Sequence, residues 1–345
     1  MRRPSLILLA AVLAGTLGAC DFTPTLDVPL PDFEPALTLN GVLAADSTVE
    51  VRITAAADPY GRYPDDGLFE IPQGTVAELF RDGASLGPLR LASAECPDYS
   101  KPVDPVAGPV TVECGAFISD VVVEPGATYT LRASAPGYPA AEATVTVPGR
   151  VPVTLDVGPP VEAEVPGWIR VDRDVAVSFR DPAGLGDRYA LMAVSGPWTY
   201  TDTYQTCDRG GVSCSDTTVH YRVPHTRFTY TTSDPVLLAG ARTIPTNGIS
   251  FATFTDEVFD GEARSLKVRV HDLIHPDRRE EPEFEAVWLV AVDAETFGAY
   301  QIAWFGYPAG EDFNPFQEPI DLPSNVVGGY GLLGAVTVNA APVPE

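Results

Sequence analysis

Runs in which apolar and polar residues alternate fill most of the chain after residue 36, and this period of two is typical of β-strands. In STVEVRITAAA, for example, Val49, Val51 and Ile53 fall on one face of an extended strand. Turn-forming residues recur about every ten positions between the runs, a spacing typical of an all-β domain. The pattern predicts an antiparallel β-sandwich over residues 36–149.

A joint rich in proline and valine follows, and strand-like runs resume beyond it. One segment differs from the rest. The sequence DAETFGAYQIAWFG predicts a helix near residues 294–305, with Asp293 as its N-cap and Gly306 at its end. We therefore predict a mainly β protein, in which a second, mostly β domain with one helix occupies residues 150–345.

Residues 1–19 have the pattern of an export signal. Positive charge at Arg2 and Arg3 precedes about a dozen apolar or small residues, fewer than the ~20 that a membrane-spanning helix needs. The segment leads into LGAC, which ends at Cys20 and fits the lipobox of bacterial lipoprotein precursors. We predict a mature chain that begins at Cys20, whose sulfur carries a diacylglycerol with long acyl chains such as palmitate. The alternative is an ordinary secretory signal with a chance cysteine.

Residues 20–35 combine four prolines with several acidic side chains, a composition that does not favour a packed core. A segment of this composition stays extended at ~3.1 Å per residue and reaches roughly 45 Å. We predict a tether that holds the folded body away from a membrane. The expected location is the outer membrane, on a side that the sequence leaves undetermined.

The acidic composition of the chain excludes some classes of binding partner. The formal net charge is −25, and the only lysines are Lys101 and Lys267. Because such a charge repels nucleic acid and anionic lipid headgroups, we predict no nucleic-acid partner. Hydrophobic residues make up 45% of the chain, which is too many for a disordered protein.

Four cysteines follow the lipobox, and an even number in an exported protein predicts two disulfides. Proximity along the chain favours one of the three pairings, namely Cys96–Cys114 with Cys207–Cys214. The alternative for the second pair is a metal site completed by His220 and His225. Its spacing is looser than that of zinc fingers, and an oxidising compartment favours cystine over thiolate.

The sequence HDLIH, from His271 to His275, resembles a zinc-protease signature with Asp272 in place of the glutamate. That site needs its two histidines one turn apart on a continuous helix, whereas a strand-like run precedes this segment and Pro276 follows it. We predict two loop histidines instead. Since Gly-x-Ser-x-Gly and EF-hand spacings are also lacking in the sequence, we predict no catalytic residue, metal or cofactor.

The segment from Ser195 to Ser233 is rich in threonine and aromatic residues. Strand-like alternation groups its rings, which would form a platform for a sugar ring, a peptide or a partner protein. The predicted binding surface consists of Trp198, Tyr200, Tyr204, Tyr221 and Tyr230. The alternative is that these rings belong to the core, as aromatic residues of strands commonly do.

Two further stretches, FTDEVFDG (residues 254–261) and PIDLPSNVVGGYGLLGA (residues 319–335), complete an ordered set of landmarks with the lipobox and the predicted helix. This order resembles the domain-of-unknown-function 4249 family, lipoproteins of Bacteroidetes-type bacteria. The resemblance implies an immunoglobulin-like first domain and an envelope protein that works beside a TonB-dependent outer-membrane transporter. It implies no catalytic residues, and the segment from Ser195 to Ser233 departs from the family pattern.

The glycines of the second stretch suit backbone turns and close approaches. A phosphate-binding loop would need a following helix N-terminus and usually a lysine, but here a strand-like run follows and no lysine is near. We therefore predict a structural turn or bulge that leads into the last strand.

These features together predict a non-catalytic, lipid-anchored lipoprotein of the cell envelope. We expect it to bind a small-molecule or peptide ligand, or a partner protein, as an accessory of a TonB-dependent transporter. The alternatives are an envelope hydrolase with an unidentified acid or metal site and a purely structural surface lipoprotein.

Overall fold

The computed structural model describes residues 34–56, 70–97, 111–184, 186–195, 198–207, 214–223, 227–239, 241–244, 248–274, 283–301 and 323–344. From Pro35 onward these residues belong to one compact unit. They form twenty-one strands and two short helices, so the predicted mainly β class is confirmed. None of the helices in these ranges is long and apolar enough to span a membrane.

The described residues of the first half form eight strands. They are β1 (Leu37–Ala44), β2 (Thr48–Ala55), β3 (Val76–Arg81), β4 (Ala84–Pro88), β5 (Arg90–Pro97), β6 (Thr111–Val122), β7 (Thr128–Ser134) and β8 (Ala141–Thr146). The strands β1, β2, β6 and β5 are neighbours in a fourteen-stranded sheet, and β8, β7, β3 and β4 are neighbours in a five-stranded sheet.

The part of the second half that the structure describes forms thirteen strands and both helices. The elements up to the second helix are β9 (Val153–Val157), β10 (Val161–Val165), β11 (Trp168–Arg180), β12 (Arg188–Ser195), β13 (Trp198–Cys207), β14 (Cys214–Val223), β15 (Arg227–Thr232), α1 (Pro235–Ala239), β16 (Ala241–Ile244), β17 (Gly248–Thr255), β18 (Ala263–Ile274), β19 (Phe284–Val292) and α2 (Ala294–Gln301). The last two strands are β20 (Val326–Val327) and β21 (Gly329–Pro342).

The two sheets of the first half share one apolar core. Ile53 and Phe117 from the larger sheet pack in the same cluster as Leu79 and Leu131 from the smaller sheet. The alternation in the sequence explains this packing, because every second residue of a strand points to the same face. Full burial of each such side chain contributes ~1.5–3 kcal/mol, so this shared core holds the two sheets together.

A second core lies under the sheet formed by β11, β18, β15, β17, β12 and β19. Alternate residues of its strands enter this core, for example Val177 from β11 and Val268 and Val270 from β18. Strand β12 differs because both of its faces are covered: Leu191 packs in this core and Met192 packs in a smaller third cluster. Its nearly continuous apolar sequence follows from burial on both faces.

Strand β21 connects the two halves. It pairs in parallel with β1 and antiparallel with β19, and its Leu333 and Ala335 belong to the first core. Apart from Leu333 and Ala335 of this strand and Val326 of β20, the residues of the first core precede residue 150, and those of the second core follow it. The division into two domains stays a prediction.

The glycine-rich segment leads directly into β21, as its sequence predicts. Gly331 has a φ of +104°, and a Cβ atom there would lie 2.1 Å from the Leu39 carbonyl oxygen. Because no real Cβ tolerates such a contact, glycine at this position is what lets β21 approach β1.

The predicted helix begins where its cap signal places it. An Asp293 carboxylate oxygen accepts the backbone N–H groups of Glu295 at 3.0 Å and Thr296 at 3.1 Å. Those N–H groups have no carbonyl acceptor inside the helix, so the Asp293 carboxylate serves as their acceptor. The described helix ends at Gln301, and the rest of the predicted range lies outside the described residues.

Candidate functional site

The outer face of β11, β18 and β15 carries a group of polar side chains. These three strands are consecutive neighbours in the large sheet. Since Val268 and Val270 of β18 point into the core, the residues between and beside them point away from it. They are Lys267, Arg269 and His271.

His271 links this face across all three strands. Its Nδ1 atom lies 2.9 Å from an Asp172 carboxylate oxygen on β11, and its Nε2 atom lies 2.9 Å from the Thr231 hydroxyl on β15. An ionised carboxylate only accepts hydrogen bonds, so Nδ1 carries the proton that Asp172 accepts. In the neutral ring Nε2 is then an acceptor, and the Thr231 hydroxyl donates to it. We call this the Thr231–His271–Asp172 chain.

The three side chains of the Thr231–His271–Asp172 chain differ in their exposure to solvent. The His271 and Asp172 side chains are each 14% exposed, whereas Thr231 is exposed. The Arg170 Nε atom lies 3.1 Å from the same Asp172 oxygen, but its direction makes no hydrogen bond. Arg170 therefore supports the negative charge of Asp172 by electrostatic attraction alone, and His271 remains the hydrogen-bond donor to that oxygen.

A surface cavity of about 580 Å³ adjoins the chain of hydrogen bonds. The polar groups that line it come from four strands and the residue after β15: Asp156, Asp174, Thr231, Thr232, Ser233, Lys267 and Arg269. Its volume is within the range of small-molecule sites, ~300–1,000 Å³. Thr231 belongs both to this lining and to the hydrogen-bonded chain.

The two cationic side chains of the cavity differ in their ion pairing. Arg269 donates to Asp174 through two nitrogens, at 2.7 and 3.0 Å. The Arg269 guanidinium lowers the pKa of Asp174, and Asp174 raises the pKa of Arg269. Lys267, by contrast, forms no ion pair with any residue that the structure describes. The cavity thus offers an ammonium group and the unused N–H groups of a guanidinium.

A second group, of carboxylates, lies where two loops meet. The carboxylate oxygens of Asp181, Asp187 and Asp256 come within 4.8 Å of one another. Asp256 belongs to the FTDEVFDG stretch, and the other two flank the loop between β11 and β12. The sequence signal for this group is weak, because acids beside glycine and proline also occur in ordinary turns.

Backbone N–H groups satisfy most of these carboxylates. Asp256 accepts from Gly186 at 3.0 and 3.1 Å, and Asp181 accepts from Gly261 at 2.9 Å and from the Tyr189 hydroxyl at 2.6 Å. Each bond crosses from one loop or strand to another. The acidic group therefore has a structural role, which is to fasten the two loops together.

Burial and nearby like charges change the acidity of Asp187. Burial, followed by repulsion from Asp181, Asp256 and Asp260, raises the pKa of Asp187 to about 6. Burial and the hydrogen bond to Asp181 also raise the pKa of Tyr189. The Asp187 side chain thus titrates close to neutral pH, which makes it a candidate source of pH-dependent stability.

Comparison with known proteins identifies the family. A family model described as a domain of unknown function, DUF4249, matches residues 23–274. The chain belongs to the DUF4249 family. The match includes the FTDEVFDG stretch and the Thr231–His271–Asp172 chain, whereas the glycine-rich stretch at residues 319–335 lies beyond it. No curated protein matches the chain.

The predicted aromatic surface of this DUF4249 protein falls on a separate hairpin. Strands β13 and β14 pair with each other and with no other described strand. Their register puts Tyr200 opposite Tyr221, and Trp198 and Tyr204 share that face because they are two and four residues away from Tyr200. Four of the five predicted positions are thereby brought together by the backbone.

Tyr230 is the exception. Its side chain is fully buried in the second core, and its hydroxyl donates to the Leu191 carbonyl at 3.2 Å. Burial raises the pKa of Tyr230. This ring follows the alternative interpretation, in which an aromatic residue of a strand belongs to the core, so Tyr230 is not part of the aromatic surface.

The backbone also locates the cysteines after Cys20, which itself lies outside the described residues. In the β13–β14 hairpin Cys207 is directly opposite Cys214. In the first half, Cys114 is opposite Ala94, two positions from Cys96 on the neighbouring strand. Both pairs share a face and are close along the ladder, but the two disulfides stay predictions.

The two metal arrangements weighed from the sequence do not fit the strands. His220 lies on β14 six residues from Cys214, which is roughly 20 Å at ~3.3 Å per residue. These two residues therefore cannot share one ion. His271 lies in strand β18, so its predicted position in a loop is wrong, and the helix that zinc proteases require is absent there. His275 and His225 lie outside the described residues.

The Thr231–His271–Asp172 chain is the arrangement that sequence reasoning missed. The alternation in β18 does indicate that Lys267, Arg269 and His271 share a face. It gives no indication of which strands lie beside β18, and Asp172 is 99 residues away along the chain. Only the pairing of β11 with β18 and of β18 with β15 brings the three side chains together.

Proposed function

We propose that this DUF4249 protein is a lipid-anchored lipoprotein of the outer membrane that binds a ligand or a partner protein beside a TonB-dependent transporter. The lipobox ending at Cys20 and the proline-rich acidic segment that follows it support the anchor. The first described strand, β1, begins at Leu37, directly after that segment. A tether of this kind would leave the folded body free to meet a partner.

The observation that carries the binding role is the aromatic face of the β13–β14 hairpin. Strands β12 and β15 pair at Ala193 with Phe228 and at Val194 with Arg227. The hairpin is therefore an insertion that leaves and re-enters the sheet at neighbouring positions. Four aromatic positions share one of its faces, and rigid aromatic side chains bind partners at a low cost in conformational entropy.

Two finer features of the proposal concern the disulfides and the type of the first domain. We propose that Cys96–Cys114 and Cys207–Cys214 form disulfides, the second of which would close the hairpin near its tip. We also propose an immunoglobulin-like first domain. The Tyr129 hydroxyl accepts the Glu124 backbone N–H at 2.9 Å, a contact similar to the tyrosine corner of such sandwiches.

Two measurements on protein from native membranes test the role. Intact mass spectrometry should find a chain that begins at Cys20 and carries added lipid mass, and the variant C20A should lack that mass. Native protein recovered in the aqueous phase without lipid would overturn the anchor.

Purification after detergent solubilisation tests the partner. The paired substitution Y200S/Y221S on the aromatic face should reduce recovery of a transporter at least tenfold, because a tyrosine at an interface contributes more than ~1.4 kcal/mol when it is a hot spot. The matched control is T203A/T218A, which changes a directly opposed pair on the other face of the same hairpin. Equal loss in both variants would contradict a specific aromatic surface.

A further inference from the structure

We propose that the Thr231–His271–Asp172 chain is a hydrolytic site for a small carboxylic ester held in the adjoining cavity. Thr231 is the nucleophile, His271 is the general base, and Asp172 is a positioning residue. This proposal goes beyond the binding role. It names catalytic residues for the alternative function, that of an envelope hydrolase. It rests on two hydrogen bonds and a shared cavity wall.

The geometry meets the requirements of nucleophilic catalysis. A hydroxyl becomes a useful nucleophile when a base within ~2.6–3.2 Å takes its proton and a third group orients that base. Both contacts of His271 are 2.9 Å. Asp172 fixes the ring so that Nε2 faces Thr231 as an acceptor. The three residues lie on three adjacent strands, a more rigid support than a loop.

The cavity supplies the electrostatic part of the site. Attack on an ester carbonyl places negative charge on its oxygen, and preorganised donors near that oxygen lower the barrier. Lys267 and Arg269 line the same cavity as Thr231, and Arg269 is the residue paired opposite Thr231 in the ladder. Because Asp156 and Asp174 also line the cavity, we expect an uncharged acyl group to be favoured over an anionic one.

The proposed ester hydrolysis needs water as its only co-reactant. The Thr231 Oγ1 atom bonds to the carbonyl carbon while its proton passes to His271 Nε2. The bond from that carbon to the alkoxy oxygen breaks, and the leaving alcohol takes the proton. Water then attacks the acyl-threonine, gives a proton to Nε2, and the carboxylic acid leaves as Thr231 recovers its hydroxyl proton.

Neighbouring hydroxyls lack this activation. The Thr232 hydroxyl donates to the Lys267 carbonyl at 2.6 Å, so it is held by the backbone. Among the described residues, Thr231 is the cavity hydroxyl with a hydrogen bond to a histidine. The proposal therefore predicts acylation at one residue of the Thr231-Thr232-Ser233 run.

The test uses the full chain in detergent with p-nitrophenyl acetate as the probe. Peptide mapping should place the acetyl group on Thr231, with steady release of p-nitrophenol. The variants T231A and H271Q should lose at least ~100-fold in turnover, and T231S should keep it. The control T144A removes an exposed threonine of β8 and should leave turnover unchanged.

The positioning role of Asp172 is tested by a measurement that a purely structural role would not change. Since Asp172 sets the tautomer of His271, D172N should lower kcat by ~10-fold or more while KM changes little. Acetylation of Lys267 in place of Thr231, unchanged turnover in T231A, or an inactive but normally melting T231S would each overturn the proposal. The lipid and co-purification measurements are independent of these outcomes, so failure here leaves the binding role standing.

Discussion

At the scale of single residues, Asp187 shows how a fold can hold an unfavourable charge. Its backbone carbonyl accepts the Asp256 N–H at 3.2 Å, while its side chain lies near three other acids. The loop geometry that fastens the carboxylates together thus places one of them where ionisation is costly. The cost is electrostatic and depends on pH.

The pH dependence has a definite sign. The pKa of Asp187 is about 6 in the folded protein and ~3.9 in an unfolded chain. Between these values the folded state binds more protons, so this residue lowers the free energy of unfolding as pH rises from about 4 to 6. We expect D187N to be more stable than the wild type at pH 7.5 and to lose this part of the pH dependence.

Chemical denaturation at several pH values measures the effect. The control is D120N, which removes an exposed acid of β6 and should leave the shape of the pH profile unchanged. A D187N profile parallel to that of the wild type would show that Asp187 does not contribute the expected pH dependence.

At the scale of elements, the β13–β14 hairpin is separable from the sheet. Strands β12 and β15 pair directly at the point where the insertion begins and ends. Closing a shorter loop at that point costs little, because loop entropy changes slowly with length. We expect replacement of residues 196–226 by a short glycine-rich turn to leave the thermal midpoint within a few degrees of the wild type.

The same deletion should abolish recovery of the proposed transporter partner. Circular dichroism melting and detergent co-purification measure the two properties on one variant. The matched comparison is T203A/T218A in the intact hairpin. If the deletion variant melts normally and still co-purifies with the transporter, the binding surface lies elsewhere on the molecule.

How far the sequence predicts these elements depends on whether a signal is local. The cap of α2 needs only Asp293 and the residues just after it, and it is in place. Tyr230 alternates like the hairpin aromatics but is buried, because burial depends on which strands cover a face. The Thr231–His271–Asp172 chain joins three strands and needs the sheet order, which alternation does not encode.

At the scale of the whole molecule, β21 couples the two cores. It pairs with β1 on one side and β19 on the other. A change that separates β21 from β1 should therefore weaken both halves. We expect G331A to speed amide hydrogen exchange in β19 as well as in β1, and to lower the free energy of unfolding by more than ~2 kcal/mol, because close backbone approach and an unfavourable φ are both affected.

A matched glycine separates those two causes. Gly137 also has a positive φ, +85°, but a Cβ atom there would meet nothing within 4 Å. The variant G137A should cost about 1–2 kcal/mol from backbone conformation alone. Exchange in β19 that stays at the wild-type rate in G331A would show that the two cores unfold independently.

The parallel pairing of β1 with β21 has a consequence for biogenesis. The strands that meet there are nearly 300 positions apart in the order of synthesis, since Leu37 pairs with Gly329. A polypeptide that crosses a membrane amino end first presents β1 long before its neighbour arrives. Under the proposed export, that edge would lack its β21 partner until the final strand emerges, and we expect factors that shield nascent strands to be needed throughout translocation.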